Sequence, residues 1–154
     1  MARKHFFISA FCGLLVLYCF SMQARSFQSE WEPYSLQKVQ AAVSARKPVI
    51  IDFSAEWCPG CHVLDQTVFS DPQILAKLEQ LTPLRVDATD MYSPQVQTLL
   101  DKYEVIGLPT VVFLDAKGEE IKKARIEGAG PIEQFNQSLQ WLAQENHITF
   151  KEKK

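Results

Sequence analysis

Cysteine is nearly absent from the body of this chain. Of 4 cysteines in 154 residues, Cys12 and Cys19 fall among the first 26, leaving Cys58 and Cys61 for everything that follows. That scarcity excludes a small scaffold stapled by several bridges. A single bridge closing so short a loop also adds little stability through loop entropy. A zinc or copper site is poorly supplied, since Cys58, Cys61 and His62 have no obvious fourth ligand beside them. Excess positive charge is missing as well. A formal charge of −2 gives no basic footprint, so nucleic acid is not an expected partner. No internal repeat, low-complexity tract or long linker divides the chain after its leader. With 47% hydrophobic residues, it has room for one ordinary core.

Long apolar runs are confined to the N-terminus. Phe6 to Phe20 is a largely apolar stretch of 15 residues behind Arg3 and Lys4, followed by the small-x-small site Ala24-Arg25-Ser26. As a helix it would span roughly 22 Å, short of a bilayer core of about 30 Å. Residues 1–26 are therefore expected to be an export signal, with an uncleaved anchor in the inner membrane, facing the periplasm, as the alternative. They hold three bases and no acid, so the remainder carries 13 basic against 18 acidic residues, a formal −5. Residues 27–148 are expected to form one domain in a bacterial periplasm, and 149–154 a charged tail.

Periodicity divides that domain. Phe27 to Pro33 reads as an extended lead-in. Leu36, Val39 and Val43 mark a helix ended by Pro48, and Val49 to Ala55 reads as a buried strand. A helix follows from Cys58 to about Phe69. Ser70-Asp71-Pro72 caps another, and Ser93-Pro94 opens one carrying Val96, Leu99, Leu100 and Tyr103. Leu84 to Ala88 and Thr110 to Leu114 read as strands. The turn Asp115-Ala116-Lys117-Gly118 predicts an antiparallel hairpin with a strand near Glu120 to Ile126. Gly128 to Pro131 precedes a closing helix with Ile132, Phe135, Leu139 and Leu142. Early alternation of strands and helices followed by a hairpin implies an α/β fold, a mixed central sheet flanked by helices on both faces.

The two cysteines acquire meaning from this placement. Trp57-Cys58-Pro59-Gly60-Cys61 links a buried strand to a helix start, where unpaired N–H groups and the helix dipole favour a thiolate at Cys58. Cys61, one turn inward, is placed to resolve a mixed disulfide formed by Cys58. Asp52 lies within the apolar strand, where burial should raise its pKa and make it a candidate proton acceptor from Cys61. Asp65 shares a helical stripe with both cysteines, about 6 Å along the axis from Cys61. Its influence is expected to fall on Cys61, directly or through water. His62 completes C-x-x-C-H, the attachment pattern for c-type haem, which leaves a non-enzymatic haem protein as an alternative. The other reading of His62 is an exposed neighbour whose charge tunes Cys58.

Asp52-Phe53-Ser54-Ala55-Glu56-Trp57-Cys58, the Cys58–Cys61 pair and Gly107-Leu108-Pro109-Thr110 together resemble the thioredoxin superfamily over roughly residues 34–143. Within it, Thr67-Val68-Phe69-Ser70-Asp71-Pro72 and Asp65 most resemble the C-terminal periplasmic domain of the DsbD family of transmembrane reductases. Pro59-Gly60 departs by reversing the Gly-Pro order usual in thioredoxin. The resemblance implies a thioredoxin fold, dithiol–disulfide exchange without a bound cofactor or metal, and proton acceptance by Asp52. It implies a cis bond before Pro109, with Leu108 offering backbone groups to an extended substrate segment. Trp57, Pro59, Gly60 and Gly128 would flank the same groove. The implied partners are oxidised periplasmic proteins as substrates and a membrane-embedded DsbD/CcdA-like electron donor, with the chain itself a monomer. Reduction is the implied direction. A DsbA-like oxidant is the rival, although only 47 residues lie between Cys61 and Pro109, too few for the helical insertion of that fold. An isomerase would need a dimerisation domain, for which residues 27–33 leave no room. A binding module that uses the groove without turnover is the remaining non-enzyme reading.

Overall fold

The computed structural model describes residues 31–151. The leader, its cleavage site, Cys12 and Cys19 lie outside the described residues, as do the last three of the chain. Five strands form one sheet: β1 (Glu32–Pro33), β2 (Val49–Ser54), β3 (Thr82–Asp87), β4 (Thr110–Leu114) and β5 (Ile126–Glu127). The helices are α1 (Leu36–Ser44), α2 (Pro59–Thr67), α3 (Pro72–Leu78), α4 (Pro94–Lys102) and α5 (Ile132–Asn146). Strand order is β1-β3-β2-β4-β5; β1 and β2 run parallel to β3, while β4 lies antiparallel to β2 and β5.

Side-chain alternation along β2 sorts the core into two layers. Ile50, with Val111 and Phe113 of β4, faces α2, α3 and α5 through Leu64, Ile74 and Phe135. Val49, Ile51 and Phe53 face α1 and α4 through Val39, Ala42 and Leu100. Every residue of β2 is buried, as a central strand covered on both faces requires. Asp52 points to the first of these layers by parity.

Local chemistry sets the helix starts. Asp71 accepts the N–H groups of Gln73 and Ile74, Ser93 that of Val96 and Ser35 that of Lys38. Pro59, Pro72 and Pro94 occupy first-turn positions, where their missing N–H costs nothing.

Four departures from expectation stand out, beside β3 opening at Thr82 rather than Leu84. The lead-in ends as an edge strand, with Glu32 opposite Leu84 and Pro33 opposite Arg85, a position that tolerates proline. Helix α1 stops at Ser44 rather than at Pro48: Arg46 turns left-handed at φ 54°, and the Lys47 N–H closes on Ala42 O at 2.8 Å. The hairpin strand is mostly replaced by a 3-10 turn at Lys122–Ala124, which buries Ile121 and Ala124 three residues apart. Only a bridge from Leu114 to Glu120 and the pair Ile126–Glu127 remain antiparallel to β4. Finally, Phe150 packs against the core and Gln80 holds both backbone groups of Lys151, at 2.9 and 3.1 Å. Ordered chain thus continues past residue 148, into the segment expected to be a charged tail.

Candidate active site

Register carries the site to one end of the sheet. Phe53 stands opposite Thr110, Ser54 opposite Asp87, and Thr110 opposite Glu127. The loops holding Cys58, Thr89, Pro109 and Gly128 therefore leave the sheet together.

Cys58 caps α2. Its backbone is extended, its Sγ accepts the Cys61 N–H at 3.1 Å, and its carbonyl accepts the His62 N–H at 3.3 Å. It is disulfide-bonded to Cys61 with Cα atoms 5.3 Å apart, and both residues are only 3% exposed, packed with Ala55 and Leu108. On reduction the Cys61 N–H and the helix dipole would face a Cys58 thiolate. The Leu108–Pro109 bond is cis. A Cβ on Gly60 would sit 3.0 Å from Pro109 Cδ, so the absence of a side chain there lets the two loops approach. Gly128 adopts φ 83° and donates its N–H to Pro109 O at 2.8 Å, tying the third loop to the second. Pro59 is exposed at the first turn of α2, while Trp57 is 53% exposed and donates its indole N–H to Thr89 O at 2.9 Å. Thr89 Oγ1 also accepts the Glu56 N–H, and its own N–H bonds Asp87 Oδ1. Thr89 was not a candidate from sequence; the signal was an Asx turn, Asp87-Ala88-Thr89, at a strand end.

Asp52 is 1% exposed. Burial raises its pKa from 3.8 to about 7, with Arg85 opposing the rise and Asp65 adding to it. Arg85 is a second residue that sequence reasoning missed. Its Nε donates to Asp52 Oδ2 at 2.7 Å and its Nη2 to Asp65 Oδ1 at 2.6 Å. Asp65, expected to influence Cys61 directly or through water, is held in an ion pair with Arg85. Burial works against the Arg85 charge, but the two carboxylates outweigh it and its pKa is raised. A basic residue between Leu84 and Val86 was the available signal, since period-2 alternation puts it on the face opposite to theirs; the β2–β3 register then sets it beside Asp52.

His62 is exposed, and its Nε2 meets Glu56 O at 2.7 Å. The C-x-x-C-H residues fit haem attachment poorly: both cysteines are buried and packed with Leu108, and the imidazole is engaged by the backbone. Among the described residues, no three His, Cys, Asp or Glu side chains gather where they could hold a metal ion. None of the described helices is long and apolar enough to cross a membrane.

A disulfide closed across one helical turn, with a titratable acid buried in the strand that leads to it, can trade its bond for another. Fold and site together supply what thiol–disulfide exchange requires. The family model for thioredoxin-like domains matches residues 36–143, and the chain belongs to that family. Among its relatives, the thiol:disulfide interchange protein DsbD of Photorhabdus laumondii is 39% identical over 99 residues, covering 64% of this chain and 17% of that protein. DsbD of Vibrio vulnificus is 36% identical over 107 residues, 70% of this chain and 18% of the relative. The chain thus spans about a sixth of the length of the curated relatives it matches. A thioredoxin from Thermus thermophilus superposes with a TM-score of 0.63 at 29% identity, covering 75% of this chain and 88% of that one. The DsbD C-terminal domain of Neisseria meningitidis in its oxidised form gives 0.58 at 23% identity, covering 74% and 97%, a likeness of fold.

Proposed function

We propose that this protein is a periplasmic protein-disulfide reductase, passing electrons from a membrane-embedded donor of the DsbD/CcdA kind to oxidised exported proteins. The observation that carries the reading is the Cys58–Cys61 disulfide at the cap of α2, with Asp52 buried at a pKa of about 7. The identity with DsbD supports the reducing direction, and the basic, apolar leader supports export.

The cycle needs two exchanges. A donor dithiol reduces Cys58–Cys61 and leaves as a disulfide. The Cys58 thiolate then attacks a substrate disulfide, forming a mixed disulfide and expelling one substrate thiolate. Cys61 passes its proton to Asp52 and attacks Cys58 Sγ. The Cys58–Cys61 bond re-forms, and the second substrate sulfur leaves with the electron pair. Substrate is oxidant here; the cysteine pair is reductant.

Apolar surface supports an extended partner segment beside the sulfurs. Trp57 is half exposed, while Tyr92 and Ile106 are each 91% exposed on the loops that flank the site. Leu108, before the cis bond, would supply backbone groups to such a segment.

Replacing Cys61 with Ser and passing periplasmic extract over the variant tests the reading. Substrates should remain covalently held through Cys58, releasable by dithiothreitol. Equilibration of the wild-type pair with glutathione tests direction. A potential near that of thioredoxin, about −270 mV, is expected. One near the DsbA-like value of about −120 mV would overturn the reductase assignment.

A further inference from the structure

Arg85 sits in an arrangement the exchange cycle has not yet used. Its backbone stands opposite Asp52 across the parallel β2–β3 pair, so both side chains leave the same face. The guanidinium divides its donors between two carboxylates, Nε to Asp52 Oδ2 and Nη2 to Asp65 Oδ1. Two rings hold its plane: Trp31 at 5.2 Å and Phe69 at 5.9 Å from Cζ to the ring centroids. A flat, two-pronged cation suits that slot, whereas a lysine ammonium could not reproduce both bonds and both ring contacts. Asp52 Oδ1, by contrast, is buried without a hydrogen-bond partner. A carboxylate with one oxygen tied and the other bare has a defined place for a proton.

We propose that Arg85 is a positioning residue of the exchange reaction: anchored on Asp65, it clamps Asp52 through Oδ2 and leaves Oδ1 to take the Cys61 proton. The inference rests on the proposed cycle, in which Asp52 is the acceptor. As Cys61 Sγ–H gives its proton to Oδ1, the Cys61 sulfur bonds Cys58 Sγ, and the substrate sulfur leaves with the electrons of the broken bond. Asp65, partly exposed on α2, thereby acts on the buried acid through Arg85 and at a distance from the sulfurs.

The surroundings leave few rivals for this control. From β4, Val111 faces Asp52. From α2 comes the Asp65 charge, and from β3 Arg85. Lys77 of α3 is turned to Asn136 of α5 at 2.7 Å. Removing the cation would leave the acid with burial and the Asp65 charge, both of which favour its protonated form.

The test follows resolution of a mixed disulfide, preformed between Cys58 of the full mature protein and a fluorescent peptide thiol, from pH 5 to 9. The wild-type release rate should rise through a midpoint that Asp52→Asn removes. Arg85→Gln should move that midpoint upward by about one pH unit or more, the usual effect of losing an opposite charge at contact distance. Asp65→Asn should move it downward, because a negative charge near Asp52 is lost. Arg85→Lys should fall between wild type and Arg85→Gln. If the midpoint vanishes in Asp52→Asn but stays fixed in folded Arg85→Gln and Asp65→Asn, Arg85 is merely structural and the inference fails. If Asp52→Asn leaves the profile unchanged, the acceptor role itself fails, and this inference with it.

Discussion

Asp52→Asn probes the interior of the site through stability as well as rate. The folded-state pKa is about 7 against 3.8 for an ordinary carboxyl. Over the interval between them, the folded protein keeps a proton that the unfolded chain has released, so stability falls as pH rises. The loss starts near the unfolded value and levels off above the folded one. At ~1.4 kcal/mol per unit, the whole interval amounts to roughly 4 kcal/mol. Asparagine fills nearly the same volume but has no charge to desolvate. Against this gain, it weakens the bond to Arg85 and leaves that guanidinium with Asp65 alone. Urea unfolding of the oxidised wild type and variant from pH 4 to 9 would isolate the effect, because titrating groups not coupled to Asp52 cancel in the difference. The variant should gain on the wild type by ~1.4 kcal/mol per pH unit between about 4 and 7, then hold constant. The same variant should slow disulfide exchange at neutral pH by on the order of a hundredfold, the range of a lost general base. A stability difference that is flat in pH would refute the raised pKa. An unchanged exchange rate would refute the proton transfer.

Other perturbations reach other parts of the site. Gly60→Ala places a methyl 3.0 Å from Pro109 Cδ, a ring atom with little freedom to retreat. Separation of the two loops should cost about 1–3 kcal/mol in unfolding free energy and lower the rate of insulin reduction. Trp57→Ala removes the indole bond to Thr89 O and an exposed apolar face; KM for a peptide disulfide should rise severalfold with kcat little changed, measured by steady-state kinetics. Asp71→Ala deletes the cap that holds the N–H groups of Gln73 and Ile74, and should lower stability by about 1 kcal/mol in thermal unfolding without altering exchange.

What the sequence disclosed and what it hid divide by range along the chain. Caps at Asp71 and Ser93, the burial of β2 and the cysteines on a helix start are all written within a few neighbouring residues, so periodicity and turn chemistry reveal them. The edge strand at Glu32 and the 3-10 turn at Lys122–Ala124 escape that kind of reading. The first exists only because β3 lies beside it, and the second because Ile121 and Ala124 both reach the core. Arg85 belongs with these. It stands 33 residues from Asp52 and 20 from Asp65, and only the parallel register of β2 and β3 brings the three together. From sequence alone, Asp52 is a lone buried acid and Asp65 a charge on the cysteine stripe. In the folded chain they are two ends of one ion network, and the same network ties one oxygen of the buried acid while leaving the other bare. The cysteine motif therefore states which bond can be exchanged, whereas the cation that partners the buried acid is set by a strand pairing that no local motif encodes.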